Sequence, residues 1–218
     1  MSKQIGVLLS GCGVFDGAEI HEAVLTLLFL DRAGASALCM APDMDQLHVI
    51  DHLTQKVVDE RRNVLVESAR IARGEIRDVA AVGADDIDAL IIPGGFGAAK
   101  NLSDFAVKGP EANVHPEVRR LLAALARRGK PIGAICIAPA TLTRALSDSS
   151  PRVTIGCDPG TAAAIATMGG VHSNCGVADI CVDETNRLVT TPAYMLGPGI
   201  KDVAVGIELL VNQVLSMC

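Results

Sequence analysis

Along nearly the whole chain, short apolar runs that stop at glycine or proline turns alternate with segments of helical pattern. The runs are Ile5 to Leu9, Ser36 to Met40, Asp88 to Ile92, Pro131 to Ile135, a stretch near Val153, Ile180 to Val182 and Leu188 to Thr191. Between them the pattern predicts helices over Ala18 to Ala33, Asn63 to Arg73, Pro116 to Arg128, from Cys136 to about Leu146, Pro159 to Met168 and Ile200 to Leu215. The Pro116 helix is the clearest: Val118, Leu121, Leu122 and Leu125 share one face, arginines take the other, and Gly129 stops it. Residues 44–62 are ambiguous, with room for a small hairpin around Leu53 and Thr54, and the polar stretch from Asn101 to Asn113 reads as a loop. Strand–helix alternation forces successive strands to run parallel, and right-handed crossovers then wind helices onto both faces. The expected fold is therefore α/β, a mostly parallel, doubly wound sheet in one domain over residues 1–218.

Composition narrows the function. Half of the residues are hydrophobic but only 2% are aromatic, with one Tyr and no Trp, so Ala, Val, Leu, Ile and Gly must fill the core. That suits helices packed closely on a buried parallel sheet. With a net charge of −6 it gives neither a basic face nor stacking aromatics, which argues against a nucleic-acid partner. The longest nearly unbroken apolar run, Ala23 to Leu30, is too short to cross a bilayer. No cleavable apolar leader follows Lys3, so the expected location is the cytoplasm. The seven cysteines are odd in number and show no CxxC spacing, which indicates neither a disulfide framework nor a zinc site.

In a doubly wound sheet the loops at the carboxyl edge of the strands carry the chemistry. Three unusual ones gather there. In GKPIGAICIAPATL, residues 129–142, a buried strand ends at Cys136 and a helix begins at once. This is the sulfur counterpart of the hydrolase serine elbow: the turn projects the side chain, and the helix N-terminus favours a thiolate. The bland alternative is a cysteine that packs at a strand end. In IIPGGFG, residues 91–97, paired glycines let the backbone approach a ligand, so Gly95 and Ile137 N–H can form an oxyanion hole beside the sulfur. The third, SGCGVFDGAEIHEA, resembles a loosened dinucleotide fingerprint, but Glu19 and Glu22 at the helix start would repel a pyrophosphate. Those two carboxyls either partner a cysteine or are ordinary first-turn acids. No histidine pairs visibly with Cys136: His21 points to another helix face, His115 belongs to a helix entry, and His48, His52 and His172 are not placed.

Together these elements resemble the class I glutamine-amidotransferase-like superfamily in its PfpI/ThiJ branch. Within it, GVLLSGCGVFDGAEIHEAV, IIPGGFGAAKNL, CIAPA and TTPAYML are similar to the ElbB family, named for enhanced lycopene (isoprenoid) biosynthesis. The resemblance implies a flavodoxin-like sandwich and a homodimer. It assigns the nucleophile to Cys136, the buried first-helix glutamate to Glu22, and the oxyanion donors to Gly95 and Ile137. It implies a glutathione-independent glyoxalase that converts glyoxal to glycolate without cofactor or metal. The chain departs from true glutaminases, since TPAYMLGPGIKD lacks their His-x-Glu pair, and from PfpI proteases, since Ile137 stands where their histidine follows the cysteine. Two other readings stay open: a non-catalytic redox-sensing or interaction protein, and an amidotransferase-like subunit of isoprenoid metabolism.

Overall fold

The computed structural model describes residues 2–218. Its first half contains β1 (Gln4–Leu8), α1 (Ile20–Arg32), β2 (Ser36–Ala41), β3 (Ile50–Asp51), β4 (Lys56–Val57), α2 (Val64–Ile71), β5 (Ile76–Asp78), β6 (Ala89–Ile92), α3 (Phe96–Lys100) and α4 (Phe105–Lys108). The second half contains α5 (Pro116–Arg127), β7 (Ile132–Ile135), α6 (Ala138–Ala145), β8 (Arg152–Val153), α7 (Pro159–Thr167), β9 (Val171–His172), β10 (Cys181–Asp183), β11 (Leu188–Thr191) and α8 (Ile200–Ser216).

Seven strands form one sheet in the order β10-β11-β7-β6-β1-β2-β5, parallel except for the β10–β11 edge pair. Side chains alternate across a strand, so each strand feeds both faces of the sheet. Ile5, Val7, Ile91 and Val189 join α1 and α8 in one core, through Ala23, Leu30, Ile207 and Leu210. Leu8, Leu90, Ile92 and Ile132 join α5 and α6 in the other, through Val118, Leu122 and Leu142. This is the expected flavodoxin-like sandwich, with helices on both faces of a mostly parallel sheet.

The hairpin in the ambiguous segment exists, with Ile50 opposite Val57. Other details differ from the expectation. The stretch from Asn101 to Asn113 is not all loop: α4 forms one turn, with Lys108 bridging back to Asp104 at i,i+4. The edge strand β5 and the short α3 were absent from the sequence pattern. Strand β5 is three residues long and lacks a buried position, so it leaves no apolar signature. Helix α3 reads FGAAK, a weak helix former, and holds its shape because Gly97, Ala98 and Ala99 are buried, Gly97 against Gly17 and Ala98 in the core that includes Leu142 of α6.

Candidate active site

Cys136 sits between β7 and α6 at a φ of +62°, which costs a non-glycine residue about 1–3 kcal/mol. The turn is held because Cys136 N–H donates to Thr191 O of the adjoining strand at 2.9 Å. Helix α6 then starts at once, and Pro139 falls in its first turn, where a missing N–H leaves no bond unmade. The side chain is 7% exposed, and the backbone N–H groups of Gly95 and Ile137 favour its ionised form.

Gly94 and Gly95 bring a second backbone against this elbow. A Cβ on Gly94 would lie 2.5 Å from Cys136 Cβ and 2.7 Å from Glu22 Oε2. Gly94→Ala is therefore expected to force Cys136 and Glu22 apart and to cost about 1–3 kcal/mol, measured by urea unfolding. Unchanged stability and an unshifted site would show that the gap is slack. Gly95 holds a φ of +88°, and a Cβ there would meet Glu19 N at 2.4 Å. The third loop lies across the second: Phe96 N–H donates to Val14 O, and Gly97 N–H to Gly17 O, each at 2.8 Å. Of the glycines in SGCGVFDG, Gly17 serves this close contact: a Cβ on Gly97 would lie 2.5 Å from its carbonyl carbon.

The two acids of α1 divide the two readings between them. Glu19 is the N-cap, accepting Glu22 N–H at 2.7 Å, which makes it the ordinary first-turn carboxyl. Glu22 is fully buried beside Cys136 and accepts Gly94 N–H at 2.9 Å through Oε2 and Tyr194 N–H at 3.3 Å through Oε1. Burial, aided by the charge of Glu19, pushes the Glu22 carboxyl up to about 8. Burial and the neighbouring Glu22 also raise the Cys136 thiol, while the Gly95 and Ile137 N–H groups pull it down. The helix N-terminus therefore does not by itself make a ready thiolate. Two anions side by side in this dry space are excluded, so the pair titrates as a unit.

This has a consequence for stability. Glu22 ionises at about 8 when folded and near 4.5 when unfolded, so between those values the folded chain holds the extra proton. The stabilisation is complete below about 4.5 and is lost as pH rises toward 8, a change of a few kcal/mol at most. Cys136 adds nothing in that window, because a raised thiol is neutral in both states there. Urea unfolding from pH 5 to 8 should show a steeper loss for the wild type than for Glu22→Gln. Parallel profiles would mean that Glu22 is ionised throughout.

A cavity of about 450 Å³ opens onto the sulfur. Val14, Phe96, Ile137, Tyr194 and Met195 form most of its wall, with Glu19 and Thr161 supplying polar edges; none of its lining residues is Lys, Arg or His. The structure thus brings Cys136, Glu22, Gly95 and Ile137 together. Nothing in the sequence motifs marks Tyr194, Met195 or Thr161 as site residues. The first two follow β11 directly, so the carboxyl-edge rule that selects the other loops would have found them. His21 stands on the outer face of α1, and its Nδ1 pairs with Tyr194 Oη at 2.8 Å. Among the described residues no cluster of His, Cys, Asp and Glu is arranged to hold a metal, and no helix is long and apolar enough to cross a membrane.

A cysteine held at positive φ between a parallel strand and a helix, on a sheet of this order, places the protein in the class I glutamine-amidotransferase-like fold. More narrowly, the chain belongs to the DJ-1/PfpI family, whose pattern matches residues 12–191. The human glutamine amidotransferase-like class 1 domain-containing protein 3, mitochondrial, is 46% identical over 226 residues, covering 99% of this chain and 84% of its own. The ES1 protein homolog, mitochondrial, of Rattus norvegicus is 44% identical over 224 residues, covering 98% of this chain and 84% of its own. Among solved structures, an isoprenoid biosynthesis protein with an amidotransferase-like domain from Ehrlichia chaffeensis matches with a TM-score of 0.93 at 39% identity, covering 99% of both chains. The expectation of a cytoplasmic location is overturned by these relatives, since the human and rat proteins are both named as mitochondrial.

Proposed function

We propose that the protein is a cofactor-independent, glyoxalase-like enzyme of the ElbB type that isomerises a small α-oxoaldehyde to a hydroxy acid, with glyoxal giving glycolate. The observation that carries this reading is the contact of a buried, proton-holding Glu22 with a strained Cys136 at the floor of an otherwise apolar cavity. The Cys136 thiol gives up its proton to water as the sulfur adds to one aldehyde carbon, and the proton of Glu22 passes to the new alkoxide, which lies within reach of the Gly95 and Ile137 amides. Glu22, now a carboxylate, removes the hydrogen on that carbon and returns it to the neighbouring one through an enediol. One carbon is thereby oxidised to a thioester and the other reduced to an alcohol. Water then cleaves the thioester, releasing the acid and the thiol, so no external electron carrier enters. A carboxyl that titrates at about 8 suits both halves of this transfer at neutral pH.

Glutamine hydrolysis fits less well. The cavity offers no histidine to serve as base and no Lys or Arg to hold an amino-acid carboxylate. A purely redox-sensing role also fits less well, because burial raises the thiol and sulfur oxidation favours exposed thiolates. The name of the Ehrlichia relative supports placing this chain with isoprenoid metabolism. A homodimer is proposed on the apolar stripe of α1, where Ile20, Val24 and Leu28 are 41%, 49% and 39% exposed; a monomer in sedimentation would contradict it. The activity is tested with dialysed, chelator-treated protein, which should form glycolate from glyoxal without glutathione. Turnover that appears only on adding glutathione or a divalent ion would overturn the reading.

A further inference from the structure

We infer that Asn101 is a positioning residue for the Cys136–Glu22 pair: its buried side-chain amide ties both ends of the Ser10–Gly17 loop to the segment that carries Gly94 and Gly95. The inference rests on the proposed function, although its first readout, thiol reactivity, does not. Asn101 caps the C-terminal end of α3 and is 3% exposed. Its Nδ2 donates to Ser10 O at 2.8 Å and to Asp16 O at 2.9 Å, and its Oδ1 accepts Leu47 N–H at 3.1 Å. Both amide protons are therefore used, and turning the group round would set its oxygen against two carbonyls. Ser10 follows β1 and Asp16 precedes α1, so one side chain closes the whole loop between them.

The clamp reaches the chemistry through backbone bonds. Phe96 and Gly97 donate to Val14 O and Gly17 O of the closed loop, and Glu19 N–H donates to Gly94 O at 2.9 Å. Gly94 N–H in turn donates to Glu22 Oε2 at 2.9 Å, and Gly94 leaves no room for a Cβ between Glu22 and Cys136. Asn101 is itself tied back to this segment, its N–H donating to Gly97 O at 2.8 Å. Lys100 adds one bond in the middle of the loop, to Phe15 O at 2.9 Å, whereas Asn101 holds the two ends. Without it, the carbonyls of the buried Ser10 and Asp16 lose their donor, and satisfying them with water moves the loop and the start of α1 away from Gly94. A misplacement of about 1 Å at a reacting pair is enough to cost about a hundredfold in rate.

The test compares Asn101→Asp, which keeps the size, with Asn101→Ser, which removes the arm, so the result does not depend on either one folding well. Alkylation of Cys136 by iodoacetamide is followed from about pH 6 to 10 by peptide mass spectrometry, with Cys39, 6% exposed on β2, as the internal reference. Burial and Glu22 hold the Cys136 thiol up, so a loosened site should move its alkylation midpoint down toward that of an ordinary thiol and speed its labelling relative to Cys39. At the same time kcat for glyoxal should fall about tenfold to a hundredfold, so reactivity and turnover move in opposite directions. A mere loss of stability would expose Cys39 and Cys136 alike. A wild-type midpoint in a folded variant, or labelling of the two thiols in step, would overturn the inference whatever the turnover. Wild-type protein that turns over no glyoxal would overturn the proposed function, and the alkylation profiles would still decide this inference.

Discussion

Cys136→Ser should fold normally and lose glyoxal turnover by at least about a thousandfold, to the level of the uncatalysed background. Serine fits the space and leaves the elbow in place, and its hydroxyl sits among the polar groups that act on the sulfur: the Gly95 and Ile137 amides and the Glu22 carboxyl. Burial of one new polar group is then compensated, so unfolding should shift by no more than about 1 kcal/mol. What is lost is nucleophilicity. A hydroxyl with an ordinary ionisation far above that of a thiol has no neighbouring histidine to activate it, because none lines the cavity. Residual turnover near the wild-type rate would move the nucleophile to another of the seven cysteines.

Glu22→Gln is the second large effect, with a fall in turnover of about a hundredfold to ten-thousandfold, the usual value of acid–base assistance. The amide imitates the neutral carboxyl in size and leaves Cys136 intact, but it can neither release nor recover a proton. Its geometry is not quite conservative. Glu22 accepts from two backbone amides, one through each oxygen, whereas glutamine has a single oxygen to offer. It should keep the 2.9 Å bond from Gly94 and give up the 3.3 Å bond from Tyr194, at about 1 kcal/mol. A circular dichroism spectrum and unfolding curve close to the wild type, with turnover lost, would separate the proton-transfer role from a packing role. Turnover at the wild-type rate would remove Glu22 from the chemistry.

The parallel sheet is legible because its strands are buried on both faces and read as continuous apolar runs, and the same runs end at glycine or proline where the loops begin. What escaped notice has short or mixed signals: β5 has no fully buried residue, and α3 is a glycine–alanine helix shaped by its neighbours. The site divides in the same way. Cys136, Gly95 and Ile137 follow from a nucleophile and glycines placed at strand ends, which are local patterns. The electrostatic balance is not local. Glu19 and Glu22 look alike in the sequence, three residues apart on one helix, yet one caps the helix and the other is sealed beside the sulfur by Gly94 and Tyr194. Only the packing of four loops decides which acid holds its proton at about 8. For the same reason, the helix N-terminus suggests a thiolate that burial then opposes.

The most direct test is to quench the protein with acid within one turnover of glyoxal and to map adducts by peptide mass spectrometry. Covalent chemistry through this pair predicts a single early adduct, one glyoxal unit in mass, on the peptide carrying Cys136. It should accumulate in Glu22→Gln, where thiol addition proceeds but proton transfer stalls, and be absent in Cys136→Ser. Glycolate formation by wild-type protein with Cys136 unmodified throughout, or equally fast turnover in Cys136→Ser, would contradict it.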